Sequence, residues 1–304
     1  MNDAYHPDGD GPSGETESAA IPFAGCFATE PDPTLPLAFV GLPCDSQSSF
    51  RRGPAAAPAR IRSAYDGRCY HATTELGADV EGLVSDLGDW YPSDDWERTQ
   101  AEYRTRAENL FLSERVPFFA GGDHAVTVPV VSSLEARDEP IHVVQFDAHP
   151  DLYPVYDGDP ASHACVAARL LEMEHVASLT QIGVRALNRP QLEVARRHGG
   201  RLALLEARDP IRQDDLGHIP PEARVYVTLD LDVFDPAFAP GVSHAVPGGL
   251  TPRHVLRLLH EAGWSLVGMD VVELNPYRDE RDRTAVLAAR LLHEGMGLAL
   301  GGRA

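Results

Sequence analysis

The sequence predicts a three-layer α/β/α fold with a mostly parallel central sheet, and three observations carry that expectation. From Leu37 onward, short apolar runs alternate with amphipathic stretches of helical length, the pattern of a parallel sheet covered on both faces. The chain has 304 residues, 43% of them hydrophobic, which is ample for one core of that kind. Ionisable motifs sit at the ends of the apolar runs, and sites in such sheets form outside the carboxyl ends of the strands.

In chain order, residues 1–35 are rich in Pro, Gly, Asp, Glu and Ser, with little apolar periodicity. Such a segment buries too little to offset its ordering entropy, so it reads as a flexible acidic tail ahead of a single globular domain over 36–304. Apolar runs predict strands at 37–41, 116–120, 141–146, 179–184, 201–205, 225–231 and 266–272. Amphipathic stretches predict helices at 97–112, 126–135 and 283–298. One further helix shows both of its ends. Thr251 is a good N-cap, Pro252 suits the first helical position, Val255, Leu256, Leu258 and Leu259 form a stripe, and Gly263 can adopt the left-handed conformation that ends it. The sequence has no convincing internal repeat, and its alanine-rich stretch at 55–57 is too short to matter.

The charge is −20, from 26 basic and 46 acidic residues, and every basic side chain other than histidine is arginine. That balance argues against nucleic acid or an anionic membrane as partner. Cys26, Cys44, Cys69 and Cys165 show no CxxC spacing, so reduced thiols in a cytoplasmic protein are expected. The first residues lack a basic n-region and an apolar h-region, and no secretory signal or membrane span is expected.

Three motifs carry the chemistry: GGDH at 121–124, DAHPD at 147–151 and DLD at 230–232. Alone, GGDH reads as a glycine turn with Asp123 capping a helix, DAHPD as a solvated loop and DLD as an acidic loop. Together, at corresponding strand ends, they read as a metal site. Along a continuing strand Asp147, His149 and Asp151 would share one face, as would Asp230 and Asp232. Carboxylates crowded in this way repel one another unless a cation neutralises them.

GGDH, DAHPD, SHA at 162–164, LDLDVFDPAFAPGVSHAVPGG at 229–249 and GMDVVELNP at 268–276 resemble, in order and spacing, the ureohydrolase family of arginases and agmatinases. The likeness runs from Leu37 to the C-terminus. It is nearest the plant-type arginase and agmatinase group, through SSFRRGPAAAPARIR at 48–62, DAHPDLY, SHACVAARLLE and DPAFAPGVSH. The resemblance implies an arginase-like fold and a binuclear Mn²⁺ centre held by His124, Asp147, His149, Asp151, Asp230 and Asp232. An oxygen-rich ligand set with two imidazoles suits Mn²⁺ on chemical grounds as well; Ni²⁺ or Co²⁺ also fits. It further implies that Asp151 accepts a hydrogen bond from the attacking water, that Glu273 binds the substrate guanidinium and that His163 shuttles protons to the leaving amine. SSFRRGPAAAPARIR is expected to form a loop on the substrate side, and Asp270 to support rather than react.

The sequence departs from the commonest family pattern at Ala164, where many relatives have glycine, at His244, in place of a threonine, and at Asn188, where animal-type arginases carry an aspartate. Asn188 and His244 are therefore substrate-binding candidates. The expected reaction releases urea from a small cationic guanidino compound. Agmatine ranks first, then arginine, with 4-guanidinobutanoate or guanidine after them. A deacetylase-like amidohydrolase and a non-catalytic subunit are the readings from other classes. The resemblance also implies a homotrimer or homohexamer, with the N-terminal tail and the C-terminal helix as interface candidates.

Overall fold

The computed structural model describes residues 22–67 and 70–301. Eight strands form one sheet: β1 (Leu37–Gly41), β2 (Val84–Asp89), β3 (Val116–Ala120), β4 (Ile141–Phe146), β5 (Val176–Val184), β6 (Leu202–Glu206), β7 (Arg224–Asp230) and β8 (Ser265–Val272). Their order is β2-β1-β3-β8-β7-β4-β5-β6, and every neighbouring pair is parallel.

The strands are apolar on both faces because both are covered, and alternate residues enter different cores. Phe39, Phe118, Val144, Val227 and Val271 pack with helices α1 (Ala57–Ala64), α6 (Pro252–Glu261) and α7 (Arg283–Ala299). Val40, Phe119, Val143, Tyr226 and Val272 pack on the opposite face with α2 (Trp96–Leu112), α3 (Thr127–Ser132) and α4 (Val166–Glu172). The period of two along each strand thus becomes the three layers. Helix α6 begins and ends as its sequence requires: the Thr251 side chain accepts from His254 N, and Gly263 takes φ +66°.

Four expectations need correction. Strand β2 went unread because Asp86, Gly88 and Asp89 break its apolar alternation; it lies at the sheet edge, where Arg62 pairs with Asp86 at 2.8 Å and Asp89 at 2.6 Å. The segment expected as a loop at 48–62 contains the first turns of α1, with Pro58 near its start, where a missing N–H costs nothing. The single helix expected at 126–135 is a 3₁₀ turn (His124–Val126), then α3, then a second 3₁₀ turn (Ser133–Arg137) ended by Asp138 in the left-handed conformation. The ordered domain also begins before residue 36. Phe23 and Cys26 are fully buried, and the Phe23 ring stacks on Phe27 at 4.8 Å and leans on Phe39 and Tyr65. Three aromatic anchors outweigh the polar composition around them. The rest of the expected tail, residues 1–21, and Cys69 lie outside the described residues. Cys26, Cys44 and Cys165 are free and buried. Among the described residues no helix is long and apolar enough to cross a membrane.

The four central strands β3, β8, β7 and β4 are adjacent, and their carboxyl ends lead into GGDH, Glu273, DLD and DAHPD. Four motifs far apart in sequence thereby share one edge. Removing the Phe23 ring should destabilise the domain by about 3–5 kcal/mol; equal denaturation midpoints for Phe23→Ala and the parent chain would show that the segment before β1 is not part of the core.

Candidate active site

Each motif enters the site through a local backbone device. Gly121 and Gly122 carry the chain from β3 so close to the 42–45 segment that a Cβ on Gly122 would lie 1.7 Å from Cys44 O. Asp123 then accepts from Ala125 N at 3.1 Å and from Gln47 N at 2.9 Å, so its capping role coexists with the site. After β4 the strand direction does not persist: Asp151 takes φ +46°, and the Asp147 carboxylate accepts from His149 N at 2.6 Å. Asp230 ends β7, and its carboxylate accepts from Asp232 N at 2.8 Å across a 3₁₀ turn. Glu273 follows β8 at φ +65°. Non-glycine residues held in the left-handed region store strain of about 1–3 kcal/mol each, and such positions gather where function needs a direction that the regular backbone does not offer.

All six expected ligands converge. The ligand atoms of His124, Asp147 and Asp151 lie within 4.8 Å of one another, as do those of Asp147, His149 and Asp232, so two groups share Asp147. His124 Nδ1 lies 3.2 Å from Asp147, 3.1 Å from Asp151 and 3.5 Å from Asp230, while His149 Nδ1 lies 2.8 Å from Asp232. Although it faces three carboxylates, His124 Nδ1 is buried and makes no well-formed hydrogen bond. A lone pair and several carboxylates directed at one region fit a divalent cation.

The electrostatics agree. Burial and the neighbouring Asp147 raise the Asp151 carboxyl to about 6, and burial with Asp232 and Asp147 raises Asp230 well above its usual range. Burial opposes charge on His149, yet Asp232 and Asp147 outweigh it and push the imidazole up to about 12. Protons are thus drawn strongly to the place where a cation would compete for the same donors.

A supporting layer fixes the ligands. His124 Nε2 contacts Thr228 Oγ1 at 3.0 Å, and Thr228 donates to Asp270 Oδ1 at 2.6 Å. Tyr226 and Thr127 hydroxyls donate to Asp270 Oδ2 at 2.8 and 2.9 Å, which gives Asp270 the supporting place expected of it. Gln145 donates to Asp147 Oδ2 at 2.8 Å and itself accepts from Gln181 at 3.0 Å. Arg185 donates to the carbonyls of Asp232, Phe234 and Val246, pinning the loop after β7. None of Thr228, Gln145, Gln181 and Arg185 announces itself in sequence, although Thr228 and Gln145 stand on strands that bear a motif and Gln181 and Arg185 lie on or just beyond β5, which pairs with β4.

Beside the cluster, Glu273 Oε1 accepts from His124 N at 2.9 Å and pairs with His163 Nδ1 at 2.8 Å. Burial disfavours the His163 imidazolium, but the adjacent Glu273 outweighs it and raises the pKa to about 9. Ser49 serves both of its states. Its backbone N–H can donate to His163 Nε2 at 3.1 Å, and its hydroxyl, at 2.8 Å, can accept once Nε2 carries a proton. Ser49, Tyr153, Tyr156, His163, His244 and Glu273 line a cavity of about 200 Å³ together with His149, Asp151, Asp230 and Asp232. Burial, then the charges on His163 and His149, lower the His244 pKa. Asn188 is not among the lining residues. It is exposed, caps helix α5 (Arg189–Arg197) through Gln191 N, and donates to the Tyr153 hydroxyl, so it adjoins the cavity through Tyr153 and Gln191, which line it.

A parallel sheet that gathers two histidines, four aspartates and a buried glutamate at its carboxyl edge is the framework of a metal-dependent hydrolase. The family model of the arginase family matches residues 35–297. The chain is 36% identical over 268 residues to arginase 1, mitochondrial, of Arabidopsis thaliana, covering 84% of this chain and 78% of that protein. It is 30% identical over 261 residues to the agmatinase of Bacillus subtilis, covering 84% of this chain and 88% of that one. The solved structure of the agmatine ureohydrolase of Thermoplasma volcanium superposes with a TM-score of 0.80 at 29% identity, over 93% of this chain and 95% of its own. The chain belongs to the arginase family and is a metal-dependent ureohydrolase.

Breaking the Thr228 link should loosen His124. Titration of metal-stripped Thr228→Val with Mn²⁺ is expected to give an affinity about 10–100-fold below that of the parent protein, and an equal affinity would remove Thr228 and Asp270 from the support of the site.

Proposed function

We propose that this chain hydrolyses the guanidinium group of agmatine to urea and putrescine, with two Mn²⁺ ions per subunit. The cavity lining carries the choice of substrate. It presents carboxylates, imidazoles and tyrosines and includes no arginine, in a chain that has no lysine. A dication without a carboxylate suits such walls, whereas an α-carboxylate would find no guanidinium clamp among them. The acidic surface adds modest steering of a cation toward the cavity.

His124, Asp147, His149, Asp151, Asp230 and Asp232 would hold the ions. Bound there, they supply Lewis acidity and lower the pKa of water near neutral pH. The protein's own part is to orient and to move protons. The guanidinium carbon is a poor electrophile because its charge is delocalised, so Glu273 must fix the group in place. Both protein hydrogen bonds to Glu273 fall on Oε1, and Oε2 takes none among the described residues, which leaves an oxygen for a substrate N–H. Asp151 accepts a hydrogen bond from the attacking water. As oxygen adds to the carbon and the bond to the alkylated nitrogen breaks, His163 passes a proton to the leaving amine, with Ser49 satisfying the imidazole before and after.

Arginine is the second reading, favoured by the 36% identity to a plant arginase. The likeness to that family also leads us to expect a homotrimer or homohexamer. Urea release by Mn²⁺-loaded protein, assayed in parallel on agmatine, arginine, 4-guanidinobutanoate and guanidine, should be fastest with agmatine and vanish on chelation. Faster release from arginine would replace the substrate and leave the chemistry intact. Glu273→Gln should lower urea release by at least about 100-fold while leaving metal content unchanged; turnover at the parent rate would refute the role given to Glu273.

A further inference from the structure

His244 lines the same cavity as Glu273, yet neither the metal cluster nor the proton path uses it. Its backbone is fixed from two sides. Val242 pairs with Leu274, the residue after Glu273, and the Ser243 hydroxyl donates to Arg51 O at 2.7 Å while accepting from Asn275 Nδ2 at 2.9 Å. The ring is then held edge-on by three others, with centroid separations of 5.2 Å to Phe50, 5.3 Å to His163 and 5.8 Å to His149. Within this cage Nε2 is buried and has no hydrogen-bond partner among the described residues.

Leaving a buried polar atom unpaired is unfavourable, and native proteins leave few such atoms. Here the surroundings prevent the ring from turning away freely, and the unpaired atom belongs to a residue of the cleft wall. A ligand group is the natural partner. The reacting end of a guanidino compound carries N–H donors and no free acceptor, so the bond it can complete runs from substrate to nitrogen.

We propose that His244 is a specificity-determining residue whose Nε2 accepts a hydrogen bond from a substrate guanidinium N–H, leaving another N–H for Glu273. The inference rests on the guanidine-hydrolase reading above and deepens it. Two acceptors on different segments, one charged and one neutral, fix the plane of the guanidinium in a way that a single carboxylate cannot. They also select against an analogue that lacks either N–H, because the matching acceptor would then stay buried and unpaired.

Two variants separate this role from packing. His244→Phe keeps the ring contacts and deletes the nitrogen, whereas His244→Gln restores an acceptor without the ring. Each is loaded with Mn²⁺ and compared with the parent protein in KM and kcat on the guanidino compound the parent hydrolyses, in calorimetric Kd for guanidinium ion, in metal content and in melting midpoint. For His244→Phe, KM and the guanidinium Kd are expected to rise about 10-fold or more, with a smaller change in kcat, unchanged metal content and a melting midpoint at or above the parent's. His244→Gln should recover part of the affinity. Unchanged KM and Kd in His244→Phe, a rise that tracks loss of metal, or a Gln variant no better than Phe would each overturn the proposal. A parent protein that releases no urea from any of the four compounds would instead overturn the function on which the proposal rests.

Discussion

The structure is organised around one electrostatic constraint: Asp147, Asp151, Asp230, Asp232 and Glu273 are all buried at one edge of the sheet. Carboxylates that close cannot all ionise in an apolar interior without compensating positive charge. His124, His149 and His163 supply some of it, and the raised pKa values of Asp151 and Asp230 show that the supply falls short. Much of the surrounding architecture follows from that shortage. Backbone N–H groups of His149, Ala148 and Asp232 point at carboxylate oxygens, and Gln145 adds a side-chain donor. Each bond holds a carboxylate in a fixed direction, so the remaining lone pairs are preorganised for a cation and need not be gathered by it.

A parallel sheet suits this task because its strand order brings together segments remote in sequence. The motifs after β3, β4, β7 and β8 are adjacent because those four strands are adjacent at the sheet centre. Rigid hydrogen-bonded ladders set the positions at which the chains emerge, and the strained residues Asp151 and Glu273 then set the direction in which the side chains point. Helices on both faces keep solvent out from below. The edge where the ladders stop is therefore the one place where irregular backbone, charge and access to substrate can coexist.

How much of this could be read in the sequence differs by layer. Strands β1, β3 and β4 are legible to the residue because each is an apolar run bounded by turn signals, whereas β2 is not, because an edge strand with Asp86 and Asp89 has no apolar signature. The six candidate ligands do come together, but strand alternation is the wrong reason for the grouping at 147–151. The chain leaves β4 at Phe146, and a left-handed turn at Asp151 completes the convergence. Asn188, a candidate by resemblance, is also an ordinary helix cap that reaches the cavity wall at Tyr153, a double role that the sequence does not display. Thr228 and Arg185 could not be singled out because their importance lies in what they touch, and those partners lie 42 and 47 residues away in sequence.

The same division explains why the chemistry is better fixed than the substrate. Most of the candidate metal ligands and Glu273 follow closely on strand ends, where a misplacement of a single residue would disturb the ladders. Other residues of the cavity wall, such as Tyr153 and Tyr156, sit on a loop with an exposed neighbour at Val155 and are free of that constraint. Selectivity also rests on smaller energies. One methylene more or less in an apolar wall changes binding by about 1–3 kcal/mol. A small number of loop side chains can therefore move such an enzyme from one guanidino compound to another while the sheet edge that breaks the bond stays as it is.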